Sequence, residues 1–303
     1  MWSKNAITLS RQLQRLIGLA LLGSLTWVQA ARGQTRPTAD ASPSKAKVYK
    51  FTTVDFPGAA SSGVTDINAG TAVGYQWISV TGNFSAFLLK GGIYRTLQVP
   101  NATDSTIAGI NSLGQIVGAF IDRNGIWHGF LYSGGTFTPI DYPGAIITEA
   151  LDINDSGVIV GHYYGTDYIE HGYVYKNGSF TVINYPNAIH TGVFGINSAG
   201  DMVGSWRDNA GQHGFRLSAN IFTTIDDPEG IGGWVTGIND AGQMAGTFVD
   251  ANGVLHGFIY SGSFRRLDVP GAAGTRLWRI RNNGQVAGAF VDALNEIHGM
   301  TAH

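Results

Sequence analysis

The sequence predicts an all-β fold, a six-bladed β-propeller of four-stranded antiparallel blades. Three observations predict it: one unit of 42 or 43 residues occurs six times, each unit holds four short alternating runs, and the repeats are out of phase with the blades. The opening aromatics Phe51, Tyr94, Phe137, Phe180, Phe222 and Phe264 stand 43, 43, 43, 42 and 42 residues apart. Each is followed by a polar residue and a proline: Asp55 and Pro57, Gln98 and Pro100, Asp141 and Pro143, Asn184 and Pro186, Asp226 and Pro228, Asp268 and Pro270. An isoleucine (Ile67, Ile110, Ile153, Ile196, Ile238 or Ile280) stands ten residues beyond each proline. Asn68, Asn111, Asn154, Asn197 and Asn239 follow it, and Arg281 replaces the asparagine in the sixth copy.

The fifth copy illustrates the elements in order. "WVTGIND" alternates as a strand, "AG" turns it, "QMAGTFVD" is the second strand, "ANG" turns again, and "VLHGFIYSG" and "SFRRLDVP" are the third and fourth. The Asn-x-x-Gly spacing suits a type I turn with a left-handed glycine, a tight hairpin that makes neighbouring strands antiparallel. Successive hairpins argue against a parallel solenoid. The first copy opens on a fourth strand, "VYKFTTVDFPG", and the last stops after a third, "IHGMTAH". One strand and three strands would complete the sixth blade, leaving no open edge. Pro139 falls in an outermost strand, where a missing donor is tolerated.

Three segments are expected. Residues 1–30 read as a secretory signal, with Lys4, Arg11 and Arg15 before the apolar run "LIGLALLGSLTWV" and small residues before Ala31. The alternative is a retained N-terminal anchor, although the run is shorter than the roughly 20 residues of a span. Residues 31–46 are a polar linker, and residues 47–303 are one propeller. The expected location is therefore extracellular or periplasmic, with no membrane span in the mature chain. Loss of the signal lowers the 19 basic residues to 16 against 21 acidic ones, so nothing points to nucleic acid. Without cysteine there are no disulfides, and stability must come from packing and ring closure.

The third strands read "WHGFLY", "EHGYVY", "QHGFRL", "LHGFIY" and "IHGMTA", with "SAFLL" in the first copy. Together with "GINxxGxxVG", residues 51–303 resemble the HAF family of bacterial extracellular repeat proteins. The resemblance implies a secreted repeat protein; the family has no general biochemical activity, so no catalytic residue is carried over.

His128, His171, His213, His256 and His298 are expected to be structural rather than metal ligands. A third strand lies about 10 Å outside the innermost one, given a spacing of about 4.8 Å, so histidines of different blades cannot share an ion. Asp122, Asp208, Asp250 and Asp292 are their candidate partners. The Asp-x-Pro-Gly stretches read as turns in which the aspartate bonds nearby backbone. No metal or cofactor is expected.

A unique ligand needs unique groups, so function is sought where the copies differ. Six residues past the proline stand Gly63, Thr106, Glu149, Gly192, Trp234 and Arg276, and two residues earlier Ser61, Asp104, Ile147, His190, Gly232 and Gly274. Both positions are expected in the loops entering the innermost strands, around one channel mouth. The loops between second and third strands add Trp77, Arg123, Tyr164, Asp167, Tyr168 and Arg207 on the same face. The ligand-binding candidates are thus Trp234, Arg276, Glu149, His190, Asp104, Asp167, Tyr168 and Arg207, a set suited to a glycan or surface polymer. Weaker catalytic candidates are Glu149 with Asp104, as a glycosidase pair, or Glu149 with His190, as an acid/base pair. There is no nucleophile elbow, phosphate loop or zinc-helix motif. The first reading is a non-enzymatic, monomeric binding module. A polysaccharide hydrolase or lyase and a protein-interaction scaffold stay open beside it.

Overall fold

The computed structural model describes residues 48–78 and 80–303; the signal and linker read in residues 1–46 lie outside the described residues. Among the described residues, twenty-four strands form six four-stranded antiparallel blades, the second and third joined by one parallel bridge between Trp127 and Ile147. The first blade is β2 (Ser61–Asn68), β3 (Thr71–Ile78), β4 (Asn83–Lys90) and β5 (Ile93–Thr96). The second is β6 (Ala102–Ile110), β7 (Ile116–Asp122), β8 (Trp127–Ser133) and β9 (Thr136–Ile140), and the third is β10 (Ile147–Ile153), β11 (Ile159–Tyr164), β12 (Glu170–Lys176) and β13 (Ser179–Ile183). The fourth is β14 (His190–Ile196), β15 (Met202–Arg207), β16 (Gln212–Ser218) and β17 (Ile221–Thr224). The fifth is β18 (Gly232–Ile238), β19 (Met244–Val249), β20 (Leu255–Tyr260) and β21 (Phe264–Arg266). The sixth joins β22 (Gly274–Ile280), β23 (Val286–Val291) and β24 (Ile297–Ala302) to β1 (Phe51–Thr53) from the other end of the chain. Phe51 pairs with Ala302 and Thr53 with Met300, as the phase of the repeat predicts. The fold is a closed six-bladed β-propeller, with the first strands of successive blades packed around the axis.

The repeated residues build the blade. The opener aromatics pack edge-on against the third-strand aromatic, as in Phe130–Phe137, Phe215–Phe222 and Phe258–Phe264 at 5.6, 5.2 and 5.1 Å. Core clusters lie between neighbouring sheets; Val73, Ala86 and Val99 of the first blade meet Ile107, Ile110 and Phe130 of the second. The glycine of each "VG" pair permits a close approach. A Cβ on Gly161 would stand 2.0 Å from the Glu149 carbonyl oxygen and against the Tyr173 ring.

The third-strand histidines stay within their blades, but their nearest partners differ from those expected. Nδ1 meets the residue of the Asp-x-Pro motif: His128 and Asp141 at 3.1 Å, His213 and Asp226 at 2.7 Å, His256 and Asp268 at 2.9 Å, His298 and Asp55 at 2.8 Å, and His171 with Asn184 at 3.1 Å. Asp122, Asp208, Asp250 and Asp292 approach Nε2 less closely, at 3.4–3.8 Å. The motif aspartate therefore latches the third strand to the chain leaving the fourth. Its other oxygen accepts the backbone N–H that follows the histidine at Gly214, Gly257 and Gly299. The first blade lacks both halves, with Ser85 and Gln98 in their places.

The asparagines after each isoleucine make a second ring. Nδ2 of Asn68, Asn111, Asn154, Asn197 and Asn239 donates to a carbonyl of the following blade at 3.1–3.3 Å. Arg281 closes the circle by donating through Nε to Ile67 O at 2.9 Å. The asparagine oxygens cap their own hairpins; Ser156 N and Val158 N both donate to Asn154 Oδ1 at 3.1 Å. The first hairpin is one residue shorter and uses positive φ at Ala69 (46°) and Gly70 (73°).

Candidate functional site

Each innermost strand carries a β-bulge at the same place, for example between Ala150 and Asp152 and between Leu277 and Arg279. A bulge adds a residue and re-aims those beyond it. The channel is consequently lined in three layers. The upper layer is Gly63, Thr106, Glu149, Gly192, Trp234 and Arg276; the next is Thr65, Ala108, Leu151, Phe194, Thr236 and Trp278; the floor holds Asp66, Asp152 and Arg279 with glycine in the other three blades.

Arg279 seals the floor. Its Nη1 donates to Phe194 O at 2.8 Å and Thr236 O at 2.6 Å, and its Nη2 to Leu151 O at 2.6 Å and Ala108 O at 3.2 Å. Asp152 and Asp66 lie 3.5 and 3.8 Å from the guanidinium. One side chain of the sixth blade thus meets all five others. Burial pushes the Asp152 carboxyl up, against the pull of Arg279. Asp66 also accepts from Ile110 N and pairs with Arg281, tying the floor to the asparagine ring below.

Above Arg279 lies a cavity of about 110 Å³, walled by Trp234, Trp278 and Phe194, by threonines 65, 106, 236 and 247, and by the charged pair Glu149 and Arg276. It is small beside the roughly 300–1,000 Å³ of pockets for drug-sized ligands, and so admits one compact group. Three of the eight expected binding residues, Trp234, Arg276 and Glu149, meet here. They sit on innermost strands, not in loops as the sequence reading had it, because those strands begin within a few residues of the Pro-Gly turns.

Glu149 is backed by a group that the sequence reading missed. The wholly buried His162 lies with Nε2 at 2.9 Å from Glu149 and Nδ1 at 3.2 Å from Glu170. Neither ring nitrogen completes a well-directed hydrogen bond, so the contacts are chiefly electrostatic. Burial opposes the imidazolium, yet the two carboxylates outweigh it and raise His162 above the usual value. Burial raises Glu170 as well. Glu170 leans into the space left by Gly192, where a Cβ would stand 2.5 Å from its Oε1. The signal for His162 lay in the residue after each Val-Gly or Ala-Gly pair: Tyr75, Ala119, His162, Ser205, Thr247 and Ala289. On the opposite wall burial pushes the Tyr75 hydroxyl up to about 12 against the pull of Arg276.

The remaining candidates stand apart from the cavity lining. Asp104 accepts from Phe84 N at 3.0 Å and Asn83 Nδ2 at 3.1 Å, which joins the first two blades. His190 accepts the Glu170 N–H at 3.2 Å and pairs in register with Arg207, while burial and Arg207 hold its imidazole below the usual value. Glu149 therefore partners His162 rather than His190 or Asp104. Asp167 lines a shallow outer depression with Tyr142, Tyr163 and His171, and Tyr168 is exposed beside it. Among the described residues one trio could hold a metal, Asp292, Glu296 and His298, but two of its members already belong to the sixth-blade latch. No described helix is long and apolar enough to cross a membrane.

The backbone is similar to several solved propellers at identities that speak to fold alone. TolB from Acinetobacter baumannii matches with a TM-score of 0.55 at 9% identity over 79% of this chain and 65% of that one. AofleA from Arthrobotrys oligospora matches at 0.54 and 8%, over 82% and 85%. A variant of the Aleuria aurantia lectin in complex with Fucα1-6GlcNAc matches at 0.51 and 12%, over 83% and 96%. No protein-family profile and no curated protein sequence matches the chain.

Proposed function

We propose that this is a secreted, non-enzymatic binding protein that takes the end of a glycan or surface polymer into the central cavity. The observation that carries the reading is the contrast between layers: repeated residues build blades, latches and the asparagine ring, whereas the cavity wall differs in every blade. Trp234, Trp278 and Phe194 offer flat apolar faces, and Glu149 and Arg276 supply placed polar groups, the composition of a site for a partly apolar, hydroxyl-rich ligand. The likeness to a lectin solved with a disaccharide agrees in fold. The recurring "HGF" and "GINxxGxxVG" motifs support membership of the HAF repeat proteins and, with residues 1–30, an extracellular or periplasmic location for a monomer.

The test is a glycan array and soluble-polysaccharide screen with the whole protein, repeated with Trp234→Ala. Binding that falls at least tenfold in the variant supports the cavity; unchanged binding moves the site elsewhere, and silence throughout favours a protein partner.

One observation favours a second reading, a polysaccharide hydrolase or lyase. His162 between two carboxylates can share protons, and Glu170, raised by burial, suits an acid that Glu149 complements. Products released by the wild type and abolished by Glu149→Gln would establish catalysis; undiminished turnover in that variant would remove these residues from it.

A further inference from the structure

We infer that the outer depression on the third blade is a second binding site, which takes a neutral pyranoside with its ring against Tyr168 and its hydroxyls on Asp167, Thr166 and Nε2 of His171. It is separate from the central cavity and does not depend on it.

The third blade departs from the repeat here. In the second, fourth, fifth and sixth blades the latch histidine has a carboxylate beside each ring nitrogen, at 2.7–3.8 Å. In the third, Asn184 stands for the motif aspartate and Gly165 for the loop aspartate. His171 keeps one neutral partner, Asn184 on Nδ1 at 3.1 Å, and its Nε2 has no hydrogen-bond partner among the described residues. Gly165 lines a depression of about 270 Å³ with Tyr142, Tyr163, Thr166, Asp167 and His171. Benzene, a flat six-membered ring, fills an engineered cavity of about 150 Å³, so a pyranose ring has room here.

The same loop carries strain for which the fold has no use. Tyr168 has a φ of 62°, at the position where the second and fifth blades place Gly125 and Gly253 and the sixth places Asn295. A bulky side chain in the left-handed region is an outlier that costs conformational energy. Its ring is 50% exposed, so packing within the blade offsets little of that cost. An aromatic ring held out to solvent beside a depression offers the face on which a sugar packs.

The polar groups select the ligand. Asp167 Oδ1 accepts from Ile169 N at 3.1 Å, which leaves Oδ2 for a ligand hydroxyl. The imidazole Nε2 and the Thr166 hydroxyl each exchange hydrogen bonds with hydroxyls. Neither lysine nor arginine lines the depression, and the Asp167 carboxylate repels anions. An uncharged, hydroxyl-rich ring fits this combination of one aromatic face and a few placed polar groups.

The experiment follows backbone amide shifts of the full chain during titration with the methyl α-glycosides of glucose, galactose, mannose and fucose, and separately with methylammonium chloride. At least one glycoside should shift the amides of Asp167, Ile169 and His171 saturably. Replacing residues 165–168 by the Asp-Arg-Asn-Gly of the second blade (Gly165→Asp, Thr166→Arg, Asp167→Asn and Tyr168→Gly together) should weaken that binding at least ~10-fold. The exchange restores the carboxylate beside His171 and displaces Asp167, whose Oδ1 lies 2.7 Å from a Cβ built on Gly165. It keeps the loop length and removes the strained residue, so the thermal midpoint should hold or rise. Tyr168→Gly alone should raise the midpoint while weakening binding, a pairing that a merely structural tyrosine would not give. Trp234→Ala, in the central cavity, should leave the loop shifts as they are. Shifts confined to cavity residues such as Trp234 and Phe194 would overturn this inference and leave the function proposed for the cavity standing, whereas loop shifts alone would support it and count against the cavity. Glycoside binding that survives the loop exchange, a response to methylammonium but to no glycoside, or a silent titration would each overturn it.

Discussion

Arg279 shows how much one residue can carry. Its guanidinium is buried among four carbonyls and two buried carboxylates, so removing it strands charges that have no route to water. Breaking a buried ionic group of this kind costs about 3–5 kcal/mol. Arg279→Met should lower unfolding stability in urea by that order, and adding Asp66→Asn and Asp152→Asn should return part of it. Gly161→Ala is a second test at this scale. The new methyl group meets the Glu149 carbonyl, and overpacking of about 1–3 kcal/mol should appear in the same measurement together with weakened ligand binding, because Glu149 moves. Both residues were written in the sequence, Arg279 as the one base opposite two acids immediately before the repeated isoleucine. The importance of Arg279 was not legible there, since a residue at the axis gains partners from every blade and spacing along one chain does not reveal them.

The latches and the asparagine ring belong to the scale of elements. His298 and Asp55 join β24 to the segment that follows β1, so this latch also clasps the two ends of the propeller. Burial works against the charged imidazole, but Asp55 and Asp292 raise His298 above its ordinary value. A raised folded pKa contributes stability in full below the unfolded value of about 6.5, and the contribution is lost as pH rises through the folded value. His298→Ala and Asp55→Asn should therefore flatten the fall in thermal midpoint expected above about pH 6.5. The loss should be only about 0.5 kcal/mol, because both side chains are partly exposed. Asn154→Ala should cost more, about 1–3 kcal/mol in chemical denaturation, since it breaks a buried inter-blade link and uncaps two part-buried donors of its hairpin. Alternation and turn chemistry made the strands readable. The starts of the innermost strands were not, because these strands are covered on both sides and their small, polar first residues resemble a loop.

At the scale of the whole molecule, closure replaces disulfides. The ring ends in main-chain pairing of Phe51–Thr53 with Met300–Ala302, extended by Lys50 N donating to His303 O at 2.9 Å. Removing residues up to Asp55 should expose the edge of β24 and delete a latch. The shortened protein should unfold at lower urea and show concentration-dependent self-association by size-exclusion chromatography; an elution profile unchanged from the full chain's would mean that closure contributes little.

The sequence by itself determined the number of blades, the four-stranded meander, the closure by both ends and the layer in which the blades differ. These follow from local periodicity, turn chemistry and a repeat count, each of which acts along the chain. Only the tertiary structure decided that Arg279 seals the channel, that Arg281 completes the asparagine ring, and that His162 and Glu170 stand behind Glu149. The reason is geometric: around a closed ring, groups some 40 to 215 residues apart in sequence converge on one axis, and adjacent strands of the third blade bring Glu149, His162 and Glu170 side by side.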